Sequence, residues 1–142
     1  MQEWPLLSQV ELRALPASVR SARLHTKSTL HRWCLEGLAD AAELLVSEII
    51  TNAVRASTPL AHQQSETGQA PPAPVLRFWL TSDSRSVLIQ VWDSDRHHPV
   101  RKDVGPHAEA GRGLLLIETL STQWGWYAVD GQGGKIVWAV CA

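Results

Sequence analysis

The sequence predicts a single α+β domain in which helices cover one face of a mostly antiparallel sheet, a two-layer α/β sandwich. Three observations carry this. An uninterrupted apolar-rich helical stretch, Leu38 to Ser57, lies in the first half of the chain. Four of the five strand-like segments follow it, two of them joined as a hairpin by a short polar connector. The 142 residues, with 44% hydrophobic and 19% charged residues, suit one globular core. Consecutive antiparallel strands and segregated helices make an α+β arrangement. The whole chain, residues 1–142, is read as one domain.

SQVELRAL, within Leu6 to Leu15, alternates loosely and fits an edge strand. Pro16 suits the first turn of a helix. Ser18 to Trp33 follows, with Val19, Ala22, Leu30 and Trp33 at roughly helical intervals. His25 and His31 fall here and read as surface or boundary residues, since nothing pairs with them at metal spacing. Cys34 to Gly37 is a short connection. In the long helix, Leu45, Ile49, Ile50, Ala53 and Val54 form a broad apolar stripe, and Asp40 favours the positive end of the dipole.

Thr58 to Pro74 is polar and Pro-rich, without periodicity, and reads as a long flexible loop. Val75 to Leu80 and Val87 to Trp92 are the hairpin strands, with Val87, Ile89 and Val91 on one face and Asp93 at the end. Ser94 to Ala110 is a second polar loop. Its His97, His98 and His107 could be imagined as a metal cluster, but no Cys or carboxylate set accompanies them. Gly111-Arg112-Gly113 opens an apolar helix, LLLIETL. Gln123 to Val129 is a strand, residues 130–134 are a glycine-rich turn, and Lys135 to Cys141 is an apolar strand expected to be central and buried.

The balance of 13 basic and 14 acidic residues gives no electrostatic case for nucleic acid or a membrane surface. No apolar run reaches membrane-spanning length, and the first residues lack a secretory pattern. Two distant cysteines point to a reduced, cytoplasmic protein. Seven Trp against one Phe and one Tyr have no explanation at this level.

Chemistry is concentrated at three places. Glu48 and Asn52 are four apart and stack on one helix face. A carboxylate and a carboxamide projecting together can position a water and offer oxygen to a hard cation; alternatively both are ordinary solvated residues of the outer face. Asp93, at a strand end, can accept a hydrogen bond from an exocyclic amine such as that of adenine. Gly111 to Gly113, at a helix start, offer free N–H groups and a positive dipole end to an anion. Together these parts would make a nucleotide site without a Walker A loop, since GQGGKI has the wrong glycine spacing. Neither a Gly-x-Ser-x-Gly elbow nor a dinucleotide-binding glycine fingerprint is present.

SEIITNAVRAS, VWDSD, GRGLLLIETLSTQWGW and GGKIVWA resemble, in order, the motif boxes of the gyrase, chaperone and histidine-kinase ATPase superfamily. The closer likeness is to its small bacterial branch of anti-sigma-factor serine/threonine kinases and related ATP-binding regulators, especially actinobacterial ones. The resemblance runs from about Ala17 to the C-terminus. It implies a Bergerat-type fold holding ATP and Mg²⁺ under a lid at Ser94 to Ala110. By motif position Asn52 would bind Mg²⁺ and Glu48 would activate the attacking hydroxyl or water. Asp93 would contact adenine, and Gly111, Arg112 and Gly113 would cradle phosphate. The implied reaction is phosphoryl transfer from ATP to a Ser or Thr of a small antagonist protein, with a sigma factor or that anti-anti-sigma antagonist as partner. Homodimerisation is left open. A non-catalytic ATP-binding module that sequesters such a partner is the alternative, and an unrelated α+β domain with coincidental boxes is a third.

Four departures stand out. Where Asp-x-Gly-x-Gly is usual, this chain has Asp93-Ser94-Asp95-Arg96, without the glycines, which implies a stiffer hinge and an Asp95 that repels phosphate. Ala56 stands where a His or other basic residue often follows the Asn box. Ile136 stands where Thr is common, implying a lost hydroxyl near the adenine carboxylate. Thr58 to Pro74 is an insertion.

Overall fold

A computed structural model describes residues 4–64, 73–95, 116–131 and 133–142, with residues 58–64 described as backbone only. The strands are β1 (Leu6–Arg13), β2 (Val75–Ser82), β3 (Val87–Asp93), β4 (Gln123–Ala128) and β5 (Lys135–Cys141). They form one sheet in the order β1-β2-β3-β5-β4, with every neighbouring pair antiparallel. Helices α1 (Ala17–Arg32) and α2 (Ala39–Gln64) pack on each other, and α2 lies against β3 and β5. The expected two-layer α+β sandwich is therefore present, with β1 at a sheet edge.

Alternation decides which side chains meet the helices, because successive residues of a strand point to opposite faces. Leu76, Phe78 and Leu80 of β2, Val87, Ile89 and Val91 of β3, and Val137, Ala139 and Cys141 of β5 are all buried. Against them lies the expected stripe of α2, Leu45, Ile49, Ile50, Ala53 and Val54, joined by Ala22 and Leu30 of α1. His25 of α1 bonds Ser8 of β1, with Nε2 and Oγ 2.7 Å apart, and meets the edge of Phe78. This places His25 at the boundary its spacing suggested.

Three features differ from expectation. The long helix does not end at Ser57: it continues to Gln64, through part of the segment expected to be a loop. The polar, Pro-rich composition of Thr58 to Pro74 prompted that expectation, since proline removes an N–H and crowds the preceding turn. Leu60, Ala61, Gln63 and Gln64 are nevertheless good helix formers. The connection before α2 contains a turn of 3₁₀ helix, Glu36–Leu38. Strand β5 is interior but not buried throughout, because only alternate residues face the helices.

The other face of the sheet accounts for part of the tryptophan content. Trp79, Trp92 and Trp138 are half-buried there, on adjoining strands. Glu11, Arg77 and Trp92 stand in one cross-strand row. The Arg77 guanidinium lies 5.6 Å from the Trp92 ring centre, within cation–π range. A Cβ at Gly125 would meet the Trp138 ring at 2.9 Å, so the missing side chain makes room for that indole on β4. Broad amphipathic rings laid on the strands shield a face that no described helix covers.

Candidate functional site

Glu48 and Asn52 lie one turn apart on α2, as their spacing requires. Both are half-buried, whereas Ile49, Ile50, Ala53 and Val54 around them are buried. Neither side chain is committed to a hydrogen bond or ion pair among the described residues. The helix that carries them packs against β3, whose last residue is Asp93.

Asp93 has the same parity as Val87, Ile89 and Val91, so its carboxylate enters the helix-facing side of the sheet. It is 1% exposed. It does not stand alone there. In the β3–β5 ladder Asp93 is directly opposite Lys135, which is itself 4% exposed. Lys135 Nζ donates to Asp93 Oδ1 at 2.9 Å and to the Asp95 carbonyl oxygen at 3.2 Å, and lies 3.9 Å from Asp95 Oδ2. The Asp95 amide also donates to Asp93 Oδ1 at 2.9 Å. Burial pushes the Asp93 carboxyl above the ordinary carboxylate range; Lys135 and the Asp95 amide pull it back.

Glycine closes this corner. Gly134 has φ +79°, and a Cβ there would run into the Asp93 carbonyl oxygen and approach the Trp92 indole nitrogen at 2.9 Å. Trp92 Nε1 donates to the Gly133 carbonyl oxygen at 2.9 Å. The turn before β5 thus lies tightly against the end of β3, which puts Lys135 within reach of Asp93.

Two expectations are corrected. The residue facing Asp93 is Lys135, not Ile136: Ile136 pairs with Trp92 and belongs to the opposite face, so it has no bearing on a hydroxyl beside the carboxylate. Asp95 is not a bare charge aimed at phosphate, since the Lys135 ammonium offsets it. Sequence spacing alone does not single out Lys135, because β5 reads as a continuous apolar run. The signal was its parity with Val137, Ala139 and Cys141, which places a lysine in a buried row.

Gly111, Arg112 and Gly113, and His97, His98 and His107, lie outside the described residues, as does the expected lid after Asp95. Among the described residues no group of His, Cys, Asp and Glu is arranged to hold a metal. Both cysteines are unpaired, and no described helix is long and apolar enough to cross a membrane.

A search of curated proteins found no match. A family model does match, over residues 12–141, and takes in both helices, β2 to β5 and the last two residues of β1. With Glu48 and Asn52 on the helix that packs against the strand ending in Asp93, and with this match over most of its length, the chain belongs to the histidine kinase-like ATPase domain family.

Proposed function

We propose that this is an ATP-binding regulatory protein that transfers phosphate to a Ser or Thr of a small antagonist protein, as anti-sigma-factor kinases do. Family membership implies ATP binding. The observation that carries the proposal is the state of Glu48 and Asn52. They are two polar side chains on one face of an otherwise core-forming helix, half-exposed and uncommitted among the described residues. Asn52 fits a hard cation, which takes a few protein oxygens alongside phosphate and water. Mg²⁺ would neutralise charge developing on the phosphates. Glu48 would accept the proton of the attacking hydroxyl or hold it in line.

A second reading, a non-catalytic ATP-binding module that sequesters a sigma factor or its antagonist, draws support from the Asp93–Lys135 pair. A carboxylate already engaged by an ammonium is a poorer acceptor for adenine.

The two readings separate by experiment. Asn52→Ala should weaken Mg-ATP binding and turnover together. Glu48→Gln should preserve binding and slow phosphoryl transfer to a cognate antagonist, or slow hydrolysis in its absence, by about a hundredfold or more. Wild-type protein that binds Mg-ATP but transfers no phosphate to its antagonist would leave the binding module standing.

A further inference from the structure

Asp95 stands where the resembled pattern has a glycine, and Lys135 faces Asp93 across the ladder. These two residues meet in space, and each answers the other. The ammonium of Lys135 has three protons to place, and it finds Asp93 Oδ1 at 2.9 Å, the Asp95 carbonyl oxygen at 3.2 Å and Asp95 Oδ2 at 3.9 Å.

We propose that Lys135 is a specificity residue that closes the base subsite, withholding Asp93 from the exocyclic amine of a nucleobase while Asp95 holds Lys135 in place. The proposal rests on the reading that Asp93 faces the base. A neutral amine must then compete with a full positive charge for a carboxylate that is 1% exposed. Displacing the ammonium without moving it to water would leave a buried charge unpaired. Asp95 opposes the move through both its carbonyl and its carboxylate. The turn at Gly134 allows β5 to approach closely enough for the three groups to meet. The protein therefore holds adenine nucleotide more weakly than the same fold with an open carboxylate, and discriminates less between ATP and GTP.

The test is calorimetric binding of Mg-ATP and Mg-GTP to the full chain. The variants are Lys135→Thr, Lys135→Arg and the double variant Asp95→Gly with Lys135→Thr. Threonine keeps a hydroxyl to donate to Asp93. The double variant removes one charge of each sign, so the net charge near the phosphates is unchanged, and it avoids leaving two acids uncompensated if the single variant fails to fold. Thermal unfolding checks folding in each case. The double variant should bind Mg-ATP at least tenfold more tightly than wild type and raise the ATP-over-GTP preference, while Lys135→Arg stays weak. Equal Mg-ATP affinity in wild type and the folded double variant, or an unchanged ATP-over-GTP ratio, would overturn the role of Lys135 while leaving ATP binding intact. If neither protein binds either nucleotide, the nucleotide reading of the site falls, and the lock with it.

Discussion

At Gly134 a single hydrogen atom in place of a side chain decides whether β5 can reach the end of β3. The position combines a left-handed backbone with direct contact to the Asp93 carbonyl. Alanine there faces two costs, about 1–2 kcal/mol for the backbone conformation and about 1–3 kcal/mol for overpacking. Gly134→Ala should therefore lower unfolding stability by roughly 2–5 kcal/mol in urea titration. Gly131 also has positive φ but nothing near its missing Cβ, so Gly131→Ala should incur only the conformational cost. Equal losses at the two glycines would mean that contact with Asp93 does not constrain the turn. His25 acts at the same scale through protonation. Burial, aided by the Arg32 charge, lowers its pKa from the ordinary 6.5. The unfolded chain therefore takes up a proton near pH 6.5 that the folded protein resists. The stability tied to neutral His25 is complete above that pH and is lost as pH falls from 6.5 toward the lowered folded value. Urea midpoints at pH 7.5 and 5.5 should show a smaller acid loss in His25→Gln than in wild type. An identical loss would assign the acid sensitivity to other groups.

Elements were legible where one periodicity dominated. The stripe in α2 identified five core residues because an apolar face at helical spacing has one way to be buried. The β2–β3 hairpin was equally plain: Asp83 Oδ1 accepts from the amides of Arg85 and Ser86, the local turn chemistry that the polar connector advertises. The end of α2 was hidden because the polar, Pro-rich composition of residues 58–74 as a whole masks the good helix formers just after Pro59. Lys135 was hidden for a different reason. Its role arises from pairing between residues 42 positions apart, and spacing along one segment does not report a cross-strand partner. Glu48, Asn52 and Asp93 were found as residue types in plausible places, but the occupant of Asp93 became visible only in the β3–β5 register.

The two faces of the sheet divide the whole molecule into regions that should respond differently to mutation. Phe78 and Trp79 are chain neighbours on β2, yet alternation sends them to opposite faces. Phe78 is 1% exposed in the helix-covered core, whereas Trp79 is half-buried on the face where Trp92 and Trp138 also lie. Truncating Phe78 removes a ring enclosed on all sides and leaves a cavity that α1 and α2 can only partly fill. Phe78→Ala should cost about 3–5 kcal/mol. Trp79 has the larger ring, but part of its surface meets water in the folded protein, so its deletion forfeits less transfer energy and leaves a dent open to solvent. Trp79→Ala should cost roughly 1–2 kcal/mol, on the scale of partial side-chain burial. Side-chain size alone predicts the opposite order. Chemical denaturation of the two variants at one pH decides between size and layer. If Trp79→Ala proved as damaging as Phe78→Ala, the tryptophan face would have to be enclosed as tightly as the helix-facing core, and the two-layer account of this sheet would fail.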